Sequence, residues 1–298
     1  MTGSLEPALR AAAALGESPV WDDRTQTLLW VDIHRGEVHR FDPAAGTDEF
    51  VVLGQPVGSV ALDEDGGLVG AVGLSVGRID EEAASFTSWH TVREGDRMND
   101  GACDPRGRYL AGTLTERLVE GASALFSLEP SGALRRVLDG VTLSNGLAWS
   151  ADGGTLYYID TVLERIDAFD YDLDTGTPDP ASRRTIVDLR QSPGRPDGMT
   201  TDSDGNLWVA MARGRAIRCY DTRGRLQHLQ HVPSPVVTSC TFGGPDLSDL
   251  YITTGQWPAT AEELRDWPEA GAVFRLTGTG ATGYPATRFR SLARRGPA

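Results

Sequence analysis

The chain contains no lysine: all 28 of its basic residues are arginine. Without a side-chain amine it forms no Schiff base and cannot complete the GK[ST] end of a P-loop, so two large mechanistic classes drop out. Cysteine is nearly as scarce. Cys103, Cys219 and Cys240 lie far apart with no C-x-x-C pair, which predicts buried packing residues in a reducing compartment rather than a disulfide framework. The five histidines include no H-E-x-x-H pair; His34 and His39 fall in one expected hairpin, His228 and His231 in another. No run approaches the length of a membrane span, and Met1 to Leu15 lack a basic stretch followed by an apolar one, so the expectation is a cytoplasmic protein with no membrane partner. Helical periodicity is missing too, apart from a short turn expected near 259–267. Positive charge is in deficit: 42 acidic residues against 28 basic ones give −14, which repels a phosphate backbone and argues against nucleic acid as a partner.

What the chain has is glycine, 35 residues of it, and a hydrophobic fraction of 40% in 298 residues, the composition of a globular protein with many tight turns. It also has a repeat. An apolar or small residue followed by a polar turn cluster recurs at Trp21, Leu62, Cys103, Trp149, Thr201 and Phe242, with steps of 41, 41, 46, 52 and 41 residues. After each turn comes a strand-like run, for instance Leu28 to Ile33, Tyr109 to Leu114 and Leu250 to Thr253, then a third strand such as Glu37 to Phe41 or Val273 to Leu276. Fourth strands carry a weaker signal, best seen at Phe50 to Leu53, Trp89 to Val92 and Thr185 to Leu189. Six units of this size with four strands each predict an all-β, six-bladed β-propeller with four-stranded blades, formed by residues 1–298 as one domain. Two segments compete to complete the sixth blade, Ala8 to Ala14 and Thr287 to Leu292, and either would bring the two termini close together.

In a propeller the first strand of every blade lines the central channel, so one offset in each repeat defines one ring around the axis. Four residues before each anchor stand Glu17, Gly58, Asn99, Asn145, Asp197 and Thr238. Two of the chain's three asparagines fall in this ring. Carboxylate and amide oxygens converging on one point suit a hard divalent cation, Ca²⁺ above all, with Mn²⁺, Mg²⁺, Zn²⁺ or Fe²⁺ as alternatives. The competing reading makes the same residues turn formers, since Asn99-Asp100-Gly101, Asn145-Gly146 and Asp197-Gly198 all have turn composition.

Six ordered blocks carry a resemblance: Gly16-Glu17-Ser18-Pro19-Val20-Trp21-Asp22, Arg97-Met98-Asn99-Asp100-Gly101, Ala111-Gly112-Thr113, Ser144-Asn145-Gly146-Leu147-Ala148-Trp149, Pro196-Asp197-Gly198-Met199 and Thr238-Ser239-Cys240-Thr241-Phe242-Gly243-Gly244. Over nearly the whole chain they resemble the gluconolactonase and regucalcin family, also called the senescence marker protein family. The resemblance implies a propeller with one divalent metal at the channel mouth that hydrolyses sugar-acid lactones. It implies Glu17, Asn145 and Asp197 as metal ligands, Asp197 as general base, and Arg97, Asn99 and Glu116 as contacts to substrate hydroxyls, with Asn99 near enough to the metal to ligate it on occasion. The chemistry is consistent: a Lewis-acidic cation polarises a lactone carbonyl while a carboxylate takes the proton of the attacking water.

Two motifs read as coincidences of composition. Gly73-Leu74-Ser75-Val76-Gly77 matches G-x-S-x-G without the strand, turn and helix that a nucleophile elbow requires. Asp202-Ser203-Asp204-Gly205-Asn206 begins like an EF-hand loop, but its glycine comes too early. Trp257 and Trp267, in the long segment before the last strand, are candidates for a lid. Two other functions fit the same residues: a non-catalytic, metal-stabilised propeller that binds proteins, and the same site acting on another ester or a phosphotriester.

Overall fold

The computed structural model describes residues 3–291. Six four-stranded antiparallel sheets, one of them with a short fifth strand, form the blades of a ring. The innermost strands are Gly16–Asp22, Val57–Leu62, Arg97–Cys103, Ser144–Trp149, Arg195–Thr201 and Val236–Gly243. Each is followed by its blade's second strand, and in blades 1, 2, 3 and 5 the connecting turn opens on the repeated aspartate. Asp22, Asp63, Asp104 and Asp202 each accept the backbone N–H two residues on, at 2.9–3.2 Å. The repeat seen in the sequence is therefore a side chain standing in for a backbone turn partner.

The second strands are buried from end to end, as in Thr27–Asp32, Leu68–Val72 and Tyr109–Leu114. Neighbouring blades cover both of their faces. The apolar core accordingly divides into six clusters, each joining one blade to the next: Leu29, Val31 and Val60 between blades 1 and 2, for example, and Trp21, Trp30, Tyr251 and Val273 between blades 1 and 6. A fully buried Leu or Ile in such a layer contributes roughly 2 kcal/mol. Outermost strands such as Thr47–Val52 and Ser85–Thr91 have only exposed and half-buried positions. With one solvated face they need little hydrophobicity, which explains their weak signal in the sequence.

The sixth blade is closed from the amino end, by Ser4–Leu9 pairing antiparallel with Val273–Thr277. Residues 10–15 instead cross to blade 1, where Ala13 is buried and donates to Gly271 O at 2.9 Å. The segment 279–291 adds no strand to blade 6 and straps the turn ends of the ring. Ser203 N–H donates to Thr282 O, Gly283 N–H to Leu247 O, Phe289 N–H to Leu62 O and Arg290 N–H to Gly107 O. Arg288 pairs with Asp22 and Asp23 at 2.6 and 2.7 Å. Tyr284, Pro285, Ala286 and Thr287 thereby wall one end of a cavity of about 420 Å³ in the channel. The closeness of the two extreme termini concerns residues outside the described ones. The expected short turn is a helix, Ala261–Asp266, with a capping box between Thr260 and Glu263.

Candidate functional site

All six ring residues sit at irregularities in strand pairing. The register of the innermost strand shifts between Glu17 and Val20, Val57 and Ser59, Met98 and Gly101, Asn145 and Leu147, Pro196 and Met199, and Val237 and Ser239. A β-bulge kinks the strand and re-aims a side chain, so a repeated bulge turns one position per blade toward a common axis. In blade 1 Ser18 adopts φ 48° directly after Glu17. Turn composition and site composition are thus the same feature: the local chemistry that favours a turn builds the bulge. Gly58 is required for a different reason, since a Cβ there would lie 2.6 Å from the backbone oxygen of Asn99 in the next blade.

Hydrogen bonds from blade to blade hold the ring. Thr238 Oγ1 donates to Gly16 O at 2.5 Å, Val60 N–H to Ser18 Oγ at 3.1 Å, and Ser59 Oγ to Asn99 O at 2.9 Å. Asn99 Nδ2 donates to Ser144 O at 2.7 Å and to Asn145 Oδ1 at 2.8 Å. Because Ser144 O can only accept, the Asn99 amide is oriented with Oδ1 facing the Arg97 guanidinium, 2.7 Å away. Asn99 therefore presents an N–H, not an oxygen, toward Asn145. Arg97 also donates to Met98 O at 3.0 Å.

Electrostatics single out the acids. Burial pushes the Glu17 carboxyl well above its usual range, and the charges of Asp197 and Asp100 push it further, against the Ser18 N–H and Arg97. Asp197 is likewise raised by burial and by Asp100, with Arg97 opposing. Burial lifts Asp100 to about 6. Among the described residues no hydrogen bond reaches the Asp197 carboxylate. Three carboxylates thus crowd a low-dielectric channel with one guanidinium among them, an excess of negative charge that a divalent cation would neutralise. The donors are all oxygen, which suits Ca²⁺ and other hard cations, so the residues present fit the group. No set of three or more His, Cys, Asp or Glu placed to hold a metal occurs among the described residues; the set here is two carboxylates and an amide.

Arg97 feels Glu17, Glu116 and Asp197 together, which places it between the ring and the loop that follows Tyr109–Leu114. Glu116 stands exposed on that loop, whose position is fixed by Glu116 N–H donating to Asp96 Oδ2 at 2.8 Å. Three contributors escaped the sequence reading: Thr161, which orients Asn145; Asp96, which positions the Glu116 loop; and His34, which the charges of Arg97 and Glu116 reach. Thr161 and His34 stand one and two residues after Asp160 and Asp32, the aspartates that end the second strands of blades 4 and 1.

The set-aside motifs stay outside the site. Ser75 lies in the strand Ser75–Asp80, bonded to Thr91 at 2.8 Å, and Asp202 caps a turn. Burial raises all three cysteine thiols; Cys219 and Cys240 are buried and Cys103 borders the channel. Trp267 stacks under Arg215 at 4.7 Å, whereas Trp257 contacts His34.

A family model described as "SMP-30/Gluconolactonase/LRE-like region" matches residues 15–256. Regucalcin of Xenopus laevis is 40% identical over 284 residues, covering 92% of this chain and 94% of the relative. Regucalcin of Bos taurus is 39% identical, covering 94% and 96%. Among solved structures, a calcium-binding protein, regucalcin, of Agrobacterium tumefaciens superposes with a TM-score of 0.91 at 25% identity, covering 96% of this chain and 97% of that one.

Proposed function

The chain belongs to the SMP-30/gluconolactonase/LRE-like family, and from that premise we propose that it is a lactonase opening sugar-acid lactones, with a divalent cation held by Glu17, Asn145 and Asp197. The observation that carries the reading is the convergence of Glu17 and Asp197 on one channel, close enough for the charge of Asp197 to raise the Glu17 carboxyl, with Asn145 and Arg97 beside them. Calcium is the preferred ion, on the all-oxygen donor set and on the calcium-binding description of the Agrobacterium relative.

When bound, the cation supplies Lewis acidity toward the lactone carbonyl. Asp197, which receives no hydrogen bond among the described residues, accepts the proton of the attacking water. Arg97, with its fork of donors, and Glu116 on its loop bind the ring hydroxyls and orient the scissile ester. Asn99 ties Arg97 to Asn145, so substrate binding and cation binding share one hydrogen-bonded chain. The reaction and its soluble substrate fit a cytoplasmic enzyme.

Acid release from a panel of aldonolactones by chelator-stripped protein, repeated with each divalent cation and corrected for spontaneous opening, tests the reading. Hydrolysis restored by a cation supports it. Tight cation binding without turnover of any lactone replaces it with another ester or phosphotriester substrate, or with a binding propeller.

A further inference from the structure

Trp257 leaves 54% of its surface uncovered, an unusual exposure for the largest amphipathic side chain. Its backbone is nevertheless fixed. Trp257 N–H donates to Ala14 O at 2.9 Å, Gln256 N–H to Ala13 O at 3.0 Å, and Ala259 N–H closes back on Gln256 O. Its ring meets the imidazole of His34 edge to face, with centroids 4.7 Å apart and planes at 69°. His34 follows the second strand of blade 1, where buried Asp32 accepts from Ala14, Leu15 and Arg35 N–H at 2.7, 3.1 and 3.3 Å. One carboxylate therefore organises the turn carrying His34 and the segment on which Trp257 rests.

The pair stands at the site end of the channel. Trp257 follows the strand Asp249–Gly255, whose last residue pairs with Val236, two positions before the ring residue Thr238. The charges of Arg97 and Glu116 both reach His34. One side of the mouth thus offers a guanidinium and a carboxylate, and beside them lies a rigid, uncovered aromatic surface.

We propose that Trp257, braced by His34, is a specificity-determining residue that stacks on the C–H face of a ring-form sugar derivative whose hydroxyls engage Arg97 and Glu116. A ring sugar is amphipathic in this sense, with C–H bonds on its faces and hydroxyls at its edge. An aromatic face next to a charged pair is complementary to both. The inference rests on the lactonase reading for the identity of the reacting group, but the stacking itself requires only a cyclic polyol. Trp257 positions the ring and takes no part in bond making, so its loss acts on binding.

The test has two arms. In steady-state kinetics with gluconolactone, Trp257→Ala raises KM about five- to tenfold with kcat changed less than about twofold, and Trp257→Phe restores KM to within about threefold of the parent. In saturation-transfer NMR with the non-hydrolysable 1,5-anhydro-D-glucitol, the ring C–H protons receive saturation from the parent protein and lose it in Trp257→Ala. Unchanged KM in Trp257→Ala, a Phe variant as impaired as the Ala variant, or C–H saturation that survives the loss of Trp257 each overturns the inference. Absence of turnover on every lactone removes the lactonase reading alone, because the NMR arm still decides the stacking. Trp257 is exposed, so the variants keep the fold, which an unchanged Tm verifies.

Discussion

Thr161 Oγ1 donates to Pro196 O at 2.8 Å and so can only accept from Asn145 Nδ2, 2.7 Å away. That one-way chain fixes the Asn145 amide with its oxygen turned from Thr161 and toward Asn99. Thr161→Val keeps the shape of the side chain and removes this constraint. Calorimetric titration with Ca²⁺ is expected to show affinity weakened about 10- to 100-fold, with Tm lower by several degrees because Asn145 Nδ2 and Pro196 O lose this buried partner. Unaltered affinity would mean that Asn145 is oriented by other contacts.

The crowded acids make the cation-free protein sensitive to pH in an unusual direction. Glu17, Asp197 and Asp100 are raised in the folded state, so the native protein binds more protons than the unfolded chain between the ordinary carboxylate value of about 4 and the raised values. Stability then falls as pH rises through that window, which for Asp100 ends at about 6. Chelator-treated protein should lose Tm as pH rises from about 4 through the Asp100 value of about 6, and added Ca²⁺ should remove the slope by binding the deprotonated cluster. A cation-free Tm that climbs over this interval would contradict the crowding.

Asp197→Ala is expected to lower kcat at least 10²- to 10⁴-fold, the usual contribution of a positioned base, and to weaken cation binding as well. Ser75→Ala serves as its counterpart. Among the described residues the Ser75 hydroxyl bonds only Thr91, on an exposed sheet surface, so turnover should stay near the parent's. A folded but inactive Ser75→Ala protein would reverse the assignment of the catalytic group.

Arg288 joins the carboxyl-terminal strap to blade 1. Burial pushes the Asp22 carboxyl up, but the hydrogen bonds from Arg288, Thr25 and the Arg24 N–H, with the charge of Arg288, together hold the group below its ordinary value. The pairing therefore stabilises the fold above about pH 4 and is lost as pH falls further. Arg288→Ala leaves the buried Asp22 with the Arg24 N–H and, as its remaining charged partner among the described residues, Arg40 at 3.3 Å, at a cost of roughly 3 kcal/mol and a Tm lower by several degrees. A change of less than about 1 kcal/mol in denaturant unfolding would show the strap to be held by its backbone bonds instead.

Much of the architecture was written in short-range chemistry. Asp22, Asp63, Asp104 and Asp202 act within two residues of themselves, so their spacing exposed the blades, and counting back four residues reached the ring. Thr161, by contrast, works through a carbonyl 35 residues away, and no local pattern announces such a bond. The closing strand was misplaced within the amino end because Ser4–Leu9 is mostly exposed or half-buried and shows little alternation, whereas Ala11 to Ala14 looks apolar but serves as a connector. The roles of Glu17, Asn145, Asp197, Arg97 and Glu116 came from resemblance. The structure gathers these residues at one channel mouth; their tasks await the substitutions and titrations above.

The pairing of Ser4–Leu9 with Val273–Thr277 also orders events during synthesis. The strand Ser4–Leu9 has no partner until Val273–Thr277 has been made, so the ring stays open until then. Until then the last blade has a bare edge whose unpaired N–H and C=O groups could recruit another chain. Closure links residues some 270 positions apart, so the final step carries the largest loop entropy in the molecule. A change at Ser4–Leu9 therefore acts on the seam of the ring, at the outer edge of blade 6.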